Sequence, residues 1–270
     1  MIGYTRRSTL VVTVAIALLA SACAASAGVS SPTSTSSFVS AAVPSAPPSA
    51  PPTASARATP HAMPTFDGDV GLQAGAYVFD FTRLGAPGKP FPKVVGTVPA
   101  GWSGFRGFGV DSGSGSRFHF VSFWTVVDVY TNPCHWLGPK VHPGPTVDEL
   151  AAVLAAQPLR NATVPVAVSL GGYDGKYLEW SIPNGIVFSD CDKDPGDGQS
   201  YFESFTGNVL WNAPYDTTDR HQQGPGQVDR LWILDVQGRR LVIDASYMPG
   251  ATAQDKADVQ QVVDSIRFEP

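Results

Sequence analysis

Val228-Asp-Arg-Leu-Trp-Ile-Leu-Asp-Val236 and Arg239-Arg-Leu-Val-Ile-Asp-Ala-Ser-Tyr247 stand on either side of Gln237-Gly238. Two runs of equal length, rich in β-branched and aromatic residues and joined by a two-residue Gln-Gly link, read as a β-hairpin. In this reading Leu231 and Ile233 meet Leu241 and Ile243 as cross-strand partners. A second hairpin lies upstream, where Val164 to Leu170 and Gly175 to Ile182 flank Gly171-Gly172-Tyr173-Asp174-Gly175. Further back, Arg117 to Tyr130 alternates. Phe118, Phe120, Ser122, Trp124 and Val126 fall on one face, and His119, Val121, Phe123 and Val127 on the other. With both faces largely apolar, this segment is expected to be a central strand covered on both sides. Ala76 to Phe81 adds a shorter aromatic strand.

Two helices accompany the strands. Thr146 and Glu149 form a capping box ahead of Leu150, Val153 and Leu154. In such a box the hydroxyl accepts from the third amide and the carboxylate reaches back. Thr252 caps Ala253 to Ser265, with Asp255 in the first turn, where the positive end of the helix dipole favours it. Val259, Val262, Val263 and Ile266 then form one apolar stripe. The order of elements predicts an α+β domain, a mainly antiparallel sheet packed by two or more helices.

The rest of the chain sets the context. It has 270 residues, 18 Lys plus Arg against 23 Asp plus Glu, and a net charge of −5. That balance excludes a nucleic-acid binder, which needs a basic face for the phosphates. Residues 1–23 read as an export signal, with Arg6 and Arg7 followed by an apolar run from Leu10 to Ala20 broken only by Thr13. The run is shorter than the roughly 20 apolar residues of a spanning helix. Leu19-Ala20-Ser21-Ala22-Cys23 resembles a lipobox, departing from it at Ala20, and lipid on Cys23 would anchor the chain to the outer face of the membrane. The other reading is cleavage at Ala25-Ser26-Ala27, which discards Cys23 and secretes the chain.

Residues 24–65 are almost entirely Ala, Ser, Thr, Pro and Val and are expected to form a disordered, partly extended spacer. Residues 66–270 are expected to form a single domain. They hold all 23 acidic and 15 of the 18 basic residues, a charge of −8 that also argues against electrostatic docking on anionic lipid.

Candidate chemistry is sparse. Cys134 and Cys191 pair most simply as a disulfide in an exported domain, the alternative being two free thiols. Asp190, Asp192 and Asp194 resemble the start of a calcium loop. Pro195 and Tyr201 occupy positions that want Gly and Glu, so a solvated acidic loop is the competing reading. His119, His135, His142 and His221 show no metal-ligand spacing, and no G-x-S-x-G elbow accompanies Asp111-Ser112-Gly113. No cofactor is called for, and no catalytic residue is assigned. An enzyme would need a pair such as Asp128 or Glu179 with a histidine.

Trp102, Phe105 and Phe108, with Arg106 among glycines, form the best binding candidate, a stacking surface for a sugar or lipid. The competing reading has Trp102 and Phe108 capping the core. Arg220 to Gln227 is a polar loop that could flank the same site.

Three stretches carry a family resemblance: Thr146-Val-Asp-Glu-Leu, Val168 to Ile182 with its Gly-Tyr-Asp-Gly-Lys turn, and Val262-Val-Asp-Ser-Ile-Arg-Phe268. Together they look like the PsbP/LpqN-type sandwich. With Pro99-Ala100-Gly101-Trp102 they also resemble uncharacterised actinobacterial exported lipoproteins. The resemblance implies a non-catalytic binding or assembly module, with a cell-wall glycan, a lipid or an envelope protein as partner. The alternative is an envelope-acting hydrolase with an unrecognised active site. Fold likeness by itself assigns no reaction.

Overall fold

A computed structural model describes residues 59–65, 69–81, 91–208 and 217–270. The signal segment, Cys23 and the spacer through residue 58 lie outside the described residues. The chain enters through β1 (His61–Ala62), β2 (Asp69–Gly71), β3 (Gly75–Phe79), β4 (Lys93–Val98), β5 (Ser103–Phe105) and β6 (Gly109–Ser112). It continues through β7 (His119–Tyr130), β8 (Lys140–Val141), α1 (Val147–Ala155), β9 (Asn161–Ala162), β10 (Val166–Leu170) and β11 (Tyr173–Ser181). It ends with β12 (Glu203–Asn208), β13 (Thr217–His221), β14 (Val228–Val236), β15 (Arg239–Tyr247), α2 (Ala253–Asp264) and β16 (Arg267–Glu269). No helix among the described residues is long and apolar enough to cross a membrane.

The β14–β15 hairpin is the spine of a 12-stranded sheet ordered β10-β11-β14-β15-β7-β6-β5-β2, with β12–β13, β8 and β9 as side branches. A separate small sheet runs β1-β3-β4-β16. Gln237 (φ 57°) and Gly238 (φ 82°) are both left-handed, which makes the link a tight turn whose twist suits the strands it joins. That turn pairs Val236 with Arg239 and so fixes the register. Leu231 faces Asp244 and Ile233 faces Val242, while Leu241 and Ile243 meet Leu234 and Trp232. The expected pairing of Leu231 and Ile233 with Leu241 and Ile243 is therefore wrong. The two pairs sit on opposite faces of the sheet.

Register and alternation assign each face its cover. One face presents Val121, Phe123, Ile243 and Trp232. It packs beneath α2 and the small sheet: the Phe79 and Phe81 rings lie 4.5 and 5.6 Å from that of Phe123. The other face presents Trp124, Ser122, Asp244, Leu231, Leu178 and Trp180. Helix α1 covers part of it, burying Leu150, Ala151 and Leu154, and Lys176 pairs with Asp148 across that contact at 3.0 Å. As expected of a central strand, β7 pairs on both edges.

Both capping boxes are formed, at Thr146/Glu149 and Thr252/Asp255. The expected helix-packed α+β sandwich is nevertheless overturned. Strands make up 45% and helices 14%, so the chain is mostly β with only two α-helices among the described residues. The helices are 9 and 12 residues long and cover only part of each face. Strands complete the cover, and the β12–β13 arm lacks the alternating apolar pattern by which strands are read from sequence. The folded part also begins before Phe66. His61–Ala62 adds in parallel to the open edge of β3, and Met63 is buried. An edge strand of two residues forms through backbone pairing and leaves no pattern within a Pro/Ala-rich stretch.

Cys134 and Cys191 form a disulfide, packed with Ile182, Ile186, Phe188 and Phe202 in a small cluster apart from the main core. The link spans 57 residues, a loop closure worth about 4 kcal/mol in the chain-entropy view. Replacing both cysteines with Ala should lower the unfolding free energy by about 2–4 kcal/mol in urea titration. An unchanged midpoint would show that the loop is held without it.

Candidate functional site

The uncovered part of the α1 face opens as a cleft of about 310 Å³. Its floor is Phe118 together with Phe120, Ser122 and Trp124 of β7. One wall is the β5–β6 hairpin with the adjoining strand β2, contributing Phe105, Phe108, Asp69 and Asp111; the other is the β12–β13 arm, contributing Asp219, Arg220 and His221. The hairpin turns at Arg106 (φ 44°) and Gly107 (φ 77°), closed by a 3.2 Å bond from the Phe108 amide to the Phe105 carbonyl. Both turn residues are left-handed, a conformation that Gly adopts freely and Arg does not. The aromatic wall is continuous: Phe108 lies 5.3 Å from Phe105 and 5.2 Å from Trp124, both edge-on. Gly109 keeps the floor open, since a Cβ there would stand 3.3 Å from that of Ser122.

The charges differ from wall to wall. Burial, reinforced by the nearby charge of Asp69, pushes the Asp111 carboxyl up to about 6. On the arm, His221 Nδ1–H donates to the buried carboxylate of Glu203, and the ring stacks on Tyr201 at 4.5 Å. Burial draws the imidazole down, but the Glu203 bond and charge outweigh it and raise its pKa; burial also raises that of Glu203. Asp219 accepts from the Tyr130 hydroxyl at 2.6 Å.

Arg220 reaches beneath the cleft into the sheet. Its Nε donates to Asp244 at 2.6 Å and its Nη2 to Asp229 at 2.9 Å. Its guanidinium also lies over Phe120, 4.5 Å from the ring centre.

Of the residues singled out by sequence, Phe105 and Phe108 line the cleft, and Trp102 does not. Trp102 is buried on the opposite face, edge-on to His119 at 5.1 Å. The Arg220–Gln227 loop does flank the site, through Arg220, His221 and Gln223. Asp190, Asp192 and Asp194 do not converge. Asp192 accepts from the Leu137 amide at 2.9 Å, and Asp194 caps its own turn at the Gly196 amide at 2.6 Å. No group of three or more metal-ligating side chains forms among the described residues. His142 meets Asp128 at 3.0 Å on an exposed surface, and Glu179 meets Tyr177 at 3.4 Å rather than a histidine. Ser112 donates to the Gly101 carbonyl at 3.4 Å and His119 to the Arg117 carbonyl at 2.8 Å, so their hydrogen bonds go to the backbone.

Sequence reasoning missed Asp69, Glu203 and Asp219, which stand in segments without a motif. No known protein family, curated protein or solved structure matches this chain.

A carboxylate whose pKa is raised by folding destabilises the native state above that pKa and is neutral in effect below its unfolded value. Asp111→Asn should therefore raise the melting temperature by about 2–4 °C at about pH 7.5, after discounting for solvent screening. The gain should vanish below about pH 4. A drop at neutral pH would show instead that the carboxylate holds the hairpin in place.

Proposed function

We propose that this chain is an exported, lipid-anchored and non-catalytic binding module whose ligand site is the cleft between the β5–β6 hairpin and the β12–β13 arm. One observation carries the binding part: a face of the central strand, Phe120 to Trp124, with Phe118 just before it, is left open between aromatic and charged walls. Its volume of about 310 Å³ is at the lower end for small-molecule sites, which combine apolar lining with a few polar groups. The anchoring part is supported by Arg6, Arg7, the short apolar run and Cys23 in a lipobox-like setting.

Cys23→Ser should abolish incorporation of a palmitate analogue and release the chain into the medium. Unchanged labelling would overturn the anchor. In the cleft, Nile red, a neutral apolar dye, should bind saturably at one site. Phe105→Ala, which removes one ring of the wall, should weaken it by about threefold to tenfold. Binding indifferent to that change, or no saturable binding, would overturn the site.

The envelope-acting hydrolase has one observation in its favour. His221 with Glu203 behind it is the arrangement of a general base and its orienting carboxylate, and His221 lines the same cleft. Turnover of p-nitrophenyl acetate that His221→Ala abolishes would select that reading over simple binding.

A further inference from the structure

We infer, on the reading that the cleft is the ligand site, that its ligand presents an organic cation, an ammonium or guanidinium group on a small apolar body. The aromatic lining comes first. Phe105, Phe108, Phe118, Phe120 and Trp124 surround one cavity, and the negative faces of aromatic rings attract a cation brought out of water. The protein already uses this attraction beside the cavity, with the Arg220 guanidinium 4.5 Å from Phe120 and that of Arg106 5.2 Å from Phe105.

The charged groups then decide the sign. The positive charge at the floor is neutralised from within. Arg220 donates to Asp244 at 2.6 Å, to Asp229 at 2.9 Å, to Ser246 at 3.4 Å and to the His221 carbonyl. Arg220 and Arg160 share two buried carboxylates, so the four charges balance in number and little attraction is left for an anion. His221 is likewise matched by Glu203.

On the opposite wall the balance is reversed. Asp111 lies beside Phe120 across the β6–β7 pairing, and Asp69 beside Phe105 across β2–β5. Neither carboxylate takes a hydrogen bond or an ion pair from a described side chain. Among the described residues of that wall the two carboxylates outnumber its cation, Arg106, which is set over Phe105, so the wall keeps an excess of negative charge. A ligand cation there would meet two carboxylates and several ring faces at once, while its apolar body covers Phe108 and Trp124. Burial raises the Asp111 pKa and the charge of Asp69 adds to the rise; a proton or a cation at the pair would relieve both.

The test uses three probes of similar size on the full chain, measured by calorimetry at neutral pH: benzyltrimethylammonium, benzyl alcohol and benzoate. Benzyltrimethylammonium should bind at least about tenfold more tightly than benzyl alcohol, and benzoate most weakly. Asp111→Asn, which keeps the shape of the side chain, should remove most of that preference. Benzoate binding as tightly as the cation, or a cation preference that survives Asp111→Asn, would overturn the inference with the cleft still a binding site. Loss of Nile red binding from the unaltered protein would overturn the cleft itself, a separate result.

Discussion

Two arginines and two aspartates buried between the large sheet and the β12–β13 arm hold the architecture of the cleft face together. Arg220 comes from the arm; Asp229 and Asp244 come from adjacent strands of the spine hairpin and meet its guanidinium at 2.9 and 2.6 Å. Arg160, from the segment after α1, approaches Asp229 at 4.0 Å and lies 4.5 Å from the centre of Trp180 and 4.7 Å from that of Phe202. Burial draws the Arg160 guanidinium down to about 9 and pushes the Asp244 carboxyl up to about 7, opposed there by Arg220. Two positive and two negative groups balance in number, the condition for tolerating charge out of water. Removing one partner of such a set typically costs about 3–5 kcal/mol because the others remain buried. An apolar contact would have served stability as well. The charged set adds direction, since each forked guanidinium accepts only one placement of the arm.

Side-chain amides extend this set. Gln227 donates to Asp229 at 2.7 Å and to Gln222 at 2.6 Å, and Gln222 donates to Ser204 at 2.6 Å. Gln157 reaches the Ser204 and Tyr130 carbonyls at 2.6 and 3.0 Å. The loop after α1, the arm and the polar Arg220–Gln227 segment are thus bound into one hydrogen-bonded unit on the sheet. The disulfide ties the same unit to the end of β7, where the Asp192 amide meets the Cys134 carbonyl at 2.8 Å. The arm cannot shift without disturbing several of these groups, and it holds His221 and Asp219 at the rim.

The legibility of the chain follows from which signals are local. The hairpins around Gln237-Gly238 and Gly171-Gly172 and both capping boxes are readable, because turn and cap chemistry act within a few residues. The face Phe118, Phe120, Ser122 and Trp124 was also readable as a face. That it borders a cavity was not, because its cover comes from residues about 100 positions later. Arg220, Asp229 and Asp244 look like ordinary surface charges in sequence; only their mutual register across β13, β14 and β15 shows them to be buried partners. Trp102 lies off the cleft for the simplest reason. It is one residue from Ser103, and in a strand a step of one reverses the face.

The two faces of the large sheet divide their work. Under α2 and the small sheet, Phe79, Phe81, Phe123, Ile243 and Val262 form an apolar layer that supplies the stability of burial. This leaves the opposite face able to carry Asp244, Asp229, Ser122 and Ser246 within the sheet at a local cost in solvation. On that face the charges separate by position. Those beneath the arm are paired with one another, with Asp229 Oδ2 and Asp244 Oδ1 left without a hydrogen bond; Asp69 and Asp111, on the far wall, have no paired side chain among the described residues. An uncompensated, partly buried carboxylate is unfavourable to the fold, and the hydrophobic layer behind it makes that tolerable. The overall −8 of residues 66–270 is therefore less informative than its distribution. The place where negative charge and aromatic surface coincide, with the Arg220 guanidinium at the floor already paired, is the place where a cation from outside would complete the structure.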